Sequence, residues 1–209
     1  MNFGEMKAEV RTRLNELTAN YWSDQDIEDA LNEGLDEISD ATEWFERMTT
    51  ITFWSGRTYL DARSTLSDTF LAPKRCINNQ TGKWMEPSHV RNQDARQRQW
   101  EKVSTEPEQF FMRGIWWLGF YPKPKADSGS MRLYFSSLPA PMSLDDDEPE
   151  FPSEYHMGIV DYALYDLMAQ DAETKKALIF WQEYSGYETG LKQYVQQRTT
   201  ADGVGQFRG

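Results

Sequence analysis

The stretch Leu144–His156, LDDDEPEFPSEYH, sets Asp145, Asp146, Asp147, Glu148 and Glu150 beside His156. Carboxylate oxygens suit hard divalent cations, and an adjacent imidazole adds a nitrogen ligand or a proton carrier. A metal-dependent hydrolase using Asp145–Glu150 is the activity such a set would support. The spacing argues against it. A calcium loop alternates its ligands, bends at a glycine and closes with a glutamate. Here three aspartates are consecutive, no glycine is present and prolines stiffen the far end. Side chains in a row point apart, so the three do not converge on one ion.

The remaining chemistry is thinner still. The other histidine is His89 and the single cysteine is Cys76, without the short ligand spacings that mark zinc sites. There is no Gly-x-Ser-x-Gly elbow, and Gly56, Gly82 and Gly114 stand alone rather than forming a phosphate-cradling loop. No metal site, cofactor or catalytic residue is expected. His156 reads as a structural histidine near a helix start, and the acidic stretch as the lead into a buried helix.

These residues need elements to place them. Phe3, Met6, Val10, Leu14 and Leu17 recur at helical spacing. Ser23 can cap a second helix, with Asp24 and Asp26 in its first turn; Ile27, Leu31, Leu35 and Ile38 share a face and the helix reaches about Thr42. Glu28, Glu33, Asp36 and Glu37 fall on its remaining surface. From Met48 the period changes. TTITFWSGRTYLDA predicts a hairpin centred on Ser55-Gly56-Arg57, PEQFFMRGIWWLGFYPKP a second turning at Arg113-Gly114, and SMRLYFSSLP one more strand. The polar stretch from Pro87 and Ser88 to Trp100 reads as a short exposed helix or a loop. Helices return at Pro152 and again in the long segment through Trp181 and Leu191, where Gly186 and Gly190 suggest a kink. The end, TTADGVGQFRG, lacks apolar periodicity and reads as an unstructured tail in the isolated chain. The expected fold is α+β: about four bundled helices at 1–47 and 150–198, a small antiparallel sheet inserted at 48–140, and an extended arm at 199–209.

Paired aromatics at Phe53-Trp54, Phe110-Phe111 and Trp116-Trp117 put rings on both faces of short strands. A thin sheet has little to bury a second aromatic face against, which predicts a partner surface. The net charge is -12, which excludes an ordinary nucleic-acid binder. No Lys or Arg lies between Arg132 and Lys175, where acids are dense, while bases concentrate from Lys74 to Lys102. Such separation suits like subunits meeting acidic side to basic side. No apolar run approaches the roughly 20 residues of a membrane span, and a single cysteine fits a reducing compartment. A soluble intracellular protein is expected, and a generic acidic binding module of the cytoplasm is one reading of these bulk features.

The order of motifs points further. YWSDQDIEDALNEGLDEI is followed by GFYPKPKADSGSMRLYF, then by LPAPMSLDDDEPEFPSEYHMGIVDYALYDLMAQD and WQEYSGYETGLKQY. From about Lys7 to Arg198 this resembles the head-to-tail connector, or adaptor, proteins of tailed bacteriophages. The resemblance implies a structural virion protein of the tail or neck, made in the host cytoplasm and without catalysis. It implies a homo-oligomeric ring, twelvefold like the portal beneath which it sits, with a further tail or nozzle protein docking below. It also implies a C-terminal portal-binding arm, here Arg198, Thr199, Gly203, Val204, Gly205, Gln206, Phe207 and Arg208, with Phe207 and Arg208 as anchors. Packaged DNA would meet the ring only in passage, and Glu28, Glu33, Asp36 and Glu37 are candidates to face that channel.

Overall fold

A computed structural model describes the chain apart from residues 17–20, 53, 67–68, 97, 126–128 and 202–209; at 198–201 only the backbone is described. The helices are α1 (Phe3–Leu14), α2 (Asp24–Thr42), α3 (Ala62–Thr65), α4 (Val90–Arg96), α5 (His156–Gln170) and α6 (Thr174–Ala201). The strands are β1 (Glu46–Thr52), β2 (Tyr59–Asp61), β3 (Phe70–Asn78), β4 (Trp84–Pro87), β5 (Ser104–Thr105), β6 (Gln109–Arg113), β7 (Trp117–Tyr121), β8 (Lys123–Pro124) and β9 (Ser130–Ser137). The class is α+β. Two compact units form, one from Met1–Trp44 with Pro139–Gly209, the other from Phe45–Leu138.

In the first unit the starts of α1 and α2 have a local cause. Asn2 and Glu5 form a capping box on α1, and Ser23 and Asp26 form one on α2. Phe3, Met6 and Val10 bury the inner face of α1. Helix α5 is apolar on nearly every side, with Ile159, Val160, Ala163, Leu164 and Leu167 fully buried, and α1, α2 and α6 pack against it. Two glycines permit the closest approaches. A Cβ on Gly34 would meet the Ile159 carbonyl oxygen at 3.0 Å, and one on Gly158 would meet Tyr187 Cβ at 2.8 Å. Helix α6 runs as one element through Gly186 and Gly190 and continues to Ala201, so the expected tail is helical over Thr199–Ala201. The chain has six described helices rather than about four, because Ala62–Thr65 and Val90–Arg96 add two within the β region.

The second unit carries a larger sheet than the sequence suggests: seven strands in the order β1-β9-β3-β4-β6-β7-β2, with β5 and β8 as a separate pair. It is mixed, since β4 pairs with β6 in parallel. The β6–β7 hairpin is antiparallel as expected, with Arg113 opposite Trp117. The expected hairpin around Ser55-Gly56-Arg57 does not form. β1 pairs with β9 and β2 with β7, at opposite ends of the strand order. The turn spends its polar groups elsewhere: Gly56 N donates to Pro124 O and Ser55 Oγ to Lys125 O. The core of this unit gathers Ile51, Phe70, Cys76, Met85, Phe110, Leu118, Phe120, Met131, Leu133 and Phe135.

Candidate functional site

The acidic stretch is a fastening and not an open cluster. The first amides of a helix have no partner within it. Phe3 N donates to Asp147 O at 2.8 Å and Gly4 N to Asp145 O at 3.0 Å, so the loop's backbone closes the start of α1. Asp147 turns its carboxylate onto its own loop, where Oδ2 accepts from Ser143 N at 2.7 Å and Leu144 N at 2.8 Å. Those bonds hold its pKa below the usual carboxylate value. Lys7 Nζ lies 2.7 Å from Asp145 and 2.9 Å from Glu28, tying α1 to the loop and to α2. His156 is buried. Its Nε2–H donates to Phe151 O at 2.8 Å, which leaves Nδ1 to accept from the Met1 ammonium at 2.9 Å. Among the described residues no group of three or more His, Cys, Asp and Glu is placed to hold a metal ion.

The α2 acids separate. Glu28 is ion-paired to Lys7, whereas Glu33 and Glu37 are exposed. Partial loss of solvent around the carboxyl, with the charges of Asp166 and Glu37, raises the Glu33 pKa, and desolvation alone raises that of Asp36. Glu33 and Asp166 therefore bring acidic charge together across α2 and α5, while Glu28 is paired with Lys7. One further carboxylate was not legible in the sequence. Asp161, 2% exposed as a side chain, takes Arg13 Nη1 at 2.8 Å, while Arg13 also reaches Glu9 at 2.8 Å and Glu183 at 3.7 Å. Burial outweighs the attraction to Arg13 and pushes Asp161 up to about 6. The pair holds α1 against α5, and an acid on the buried side of an otherwise apolar helix was its only signal.

The aromatics divide differently from the expectation of one buried face. Phe110 and Phe111 are both buried, although they alternate on β6. Phe111 packs edge-on against Trp100 at 5.5 Å and Tyr59 at 6.2 Å, so the segment ahead of Trp100 covers the second face. Trp100 is fixed there by its indole N–H, which donates to Asp94 at 2.8 Å. Trp54 and Trp117 remain about half exposed, as does Trp84. Phe53 lies outside the described residues. Arginines stack on several of these rings, Arg63 over Trp116 at 4.4 Å and Arg75 over Trp84 at 5.6 Å.

Of the expected arm, Gly203, Val204, Gly205, Gln206, Phe207 and Arg208 lie outside the described residues, and Arg198 and Thr199 continue the backbone of α6. No described helix is long and apolar enough to cross a membrane. Cys76 lies in the core of the second unit, where burial pushes its thiol up to about 12.

The arrangement is one of fastenings, charged surfaces and exposed rings, which suits assembly with other proteins. A search of the curated proteins finds no match to this chain. The family model described as SU10 adaptor protein matches residues 1–207, nearly the full length and both compact units. The chain belongs to the SU10 adaptor protein family, a family of phage structural adaptors.

Proposed function

We propose that the chain forms a ring that joins the portal to the tail and continues the DNA channel. The observation that carries this is the family match over residues 1–207. Membership makes the chain a phage structural protein, a component of the virion that interacts with other phage structural proteins. Within that frame Thr199–Gly209 is the portal-binding arm, anchored by Phe207 and Arg208, and a further tail or nozzle protein docks on the distal side. A twelvefold ring matches the portal's symmetry. The acids Glu28, Glu33, Asp36 and Glu37 are proposed to face the channel, where they would repel the duplex backbone and let DNA slide rather than stick.

Native mass spectrometry of the full chain with purified portal tests the reading. A ring of chains on the portal is the expected result, and a chain that neither binds portal nor forms rings on it overturns the proposal. Deleting Thr199–Gly209 should abolish portal binding with the helical circular dichroism retained; undiminished binding would remove the arm from the proposal while leaving the ring.

A further inference from the structure

Charge divides between the two units as sharply as the fold does. Met1–Trp44 with Pro139–Gly209 holds 25 acids and 8 bases, net -17, whereas Phe45–Leu138 holds 9 acids and 14 bases, net +5. On the basic unit a cleft of about 660 Å³ is lined by His89, Val90, Arg91, Met112, Arg113 and Gly114, with Asn92 beside them. Its floor is apolar through Val90 and Met112, and its rim carries two guanidiniums and an imidazole. Arg113 is held in place by Tyr59 Oη at 3.1 Å and Glu101 at 3.8 Å.

The acidic unit presents an exposed apolar side chain followed by acids. Leu144 is 67% exposed at the tip of the acidic loop, immediately before Asp145 and Asp146. The loop is pinned rather than loose. The Asp147 carboxylate holds the Ser143 and Leu144 amides, Asp147 N donates to Leu144 O at 2.9 Å, and the Asp145 and Asp147 carbonyls are bonded to α1. A fixed apolar knob loses little conformational freedom on docking, which is what makes such a tip effective in an interface.

We infer that the Leu144 loop of one copy seats in the His89–Gly114 cleft of a second copy, leucine on the apolar floor and Asp146 and Glu148 against the basic rim. The occupant is a second copy because the charge complementarity lies within this one chain, acidic unit to basic unit. The contact is head-to-tail, so it repeats from copy to copy and closes into a ring if the rotation permits. The inference rests on the ring reading above and names the surfaces that would meet within it.

Cysteine trapping tests it on the full chain, free and bound to portal. Cys76 is buried and does not compete. Oxidised Leu144→Cys/Asn92→Cys chains should give a ladder of linked copies, and a mixture of the two single variants covalent dimers only. Leu144→Asp, or Arg91→Glu with Arg113→Glu, should weaken self-association on the order of tenfold or more. These positions are exposed, and circular dichroism melts check that the variants fold. Rings on the portal without cross-links, and unaffected by Leu144→Asp, overturn the docking while the ring reading stands. Absence of rings overturns that reading instead. Loss of portal binding in Leu144→Asp with self-association intact also overturns the docking, and gives the loop to the portal.

Discussion

Arg13 and Asp161 illustrate how one residue pair can couple stability to pH. Asp161 sits at about 6 in the fold against an ordinary 3.8, so the folded chain holds this proton more tightly than the unfolded one. Its contribution to stability is fully present below about 4 and is lost as pH rises through 6, a difference on the order of 2–3 kcal/mol. Asp161→Asn should therefore raise the melting temperature at pH 7 and leave it unchanged near pH 4; equal shifts at both would contradict the burial argument. Arg13→Met strands the carboxylate and should cost about 3 kcal/mol at pH 7 and less at pH 5, measured by urea unfolding. Neither partner was visible as a pair in the sequence, because Arg13 and Asp161 meet only through the packing of α1 on α5. His156 was read correctly, since scarcity of other ligands and its place at a helix start are local facts. The Asp147 carboxylate was not, because backbone amides leave no mark on composition.

At the scale of elements, joints between helices depend on small and polar residues. Asn32 spans α2 and the returning chain, with Oδ1 accepting from Met142 N at 2.7 Å and Nδ2 donating to Met142 O at 3.1 Å. Asn32→Ala leaves that peptide unsatisfied and should cost about 1–3 kcal/mol in denaturant midpoints. Gly158→Ala places a methyl 2.8 Å from Tyr187 Cβ. The strain should cost about 1–3 kcal/mol even though alanine is the better helix former. Gly186→Ala meets nothing within 4 Å and should instead stabilise by up to about 1 kcal/mol. Similar melts for the two variants would refute the close-approach argument. Helix α1 was legible from its apolar period, α2 from its cap and period together, and the β6–β7 hairpin from its turn glycine. The pairing of β1 with β9 was not, since its register joins residues far apart in the chain. β3 escaped for a related reason: Pro73 and Lys74 obscure a strand whose Phe70 and Cys76 enter the core.

Over the whole molecule, the second unit leaves and rejoins the chain along neighbouring strands, with Glu46 opposite Ser136 and Ser137 N donating to Phe45 O. An insertion with adjacent ends is removable in principle. Replacing Phe45–Leu138 by a short Gly-Ser linker should leave a cooperatively melting helical protein, read by far-ultraviolet circular dichroism. A non-cooperative melt would show that the helices need the inserted unit. The charge contrast between the units was legible in the sequence as density along the chain; that its boundary coincides with a structural one required the fold.

The closure of α1 by the Asp145 and Asp147 carbonyls also orders events during synthesis. Helix α1 is made early, yet the acceptors for its first amides and the α5 surface for Phe3, Met6 and Val10 are made late. The contiguous unit from Phe45 to Leu138 emerges complete in between. At ~5–20 residues per second, α1 and α2 wait on the order of ten seconds for their partners. The inserted unit is thus the first part of the molecule able to finish folding on the ribosome, with the acidic helices assembling last.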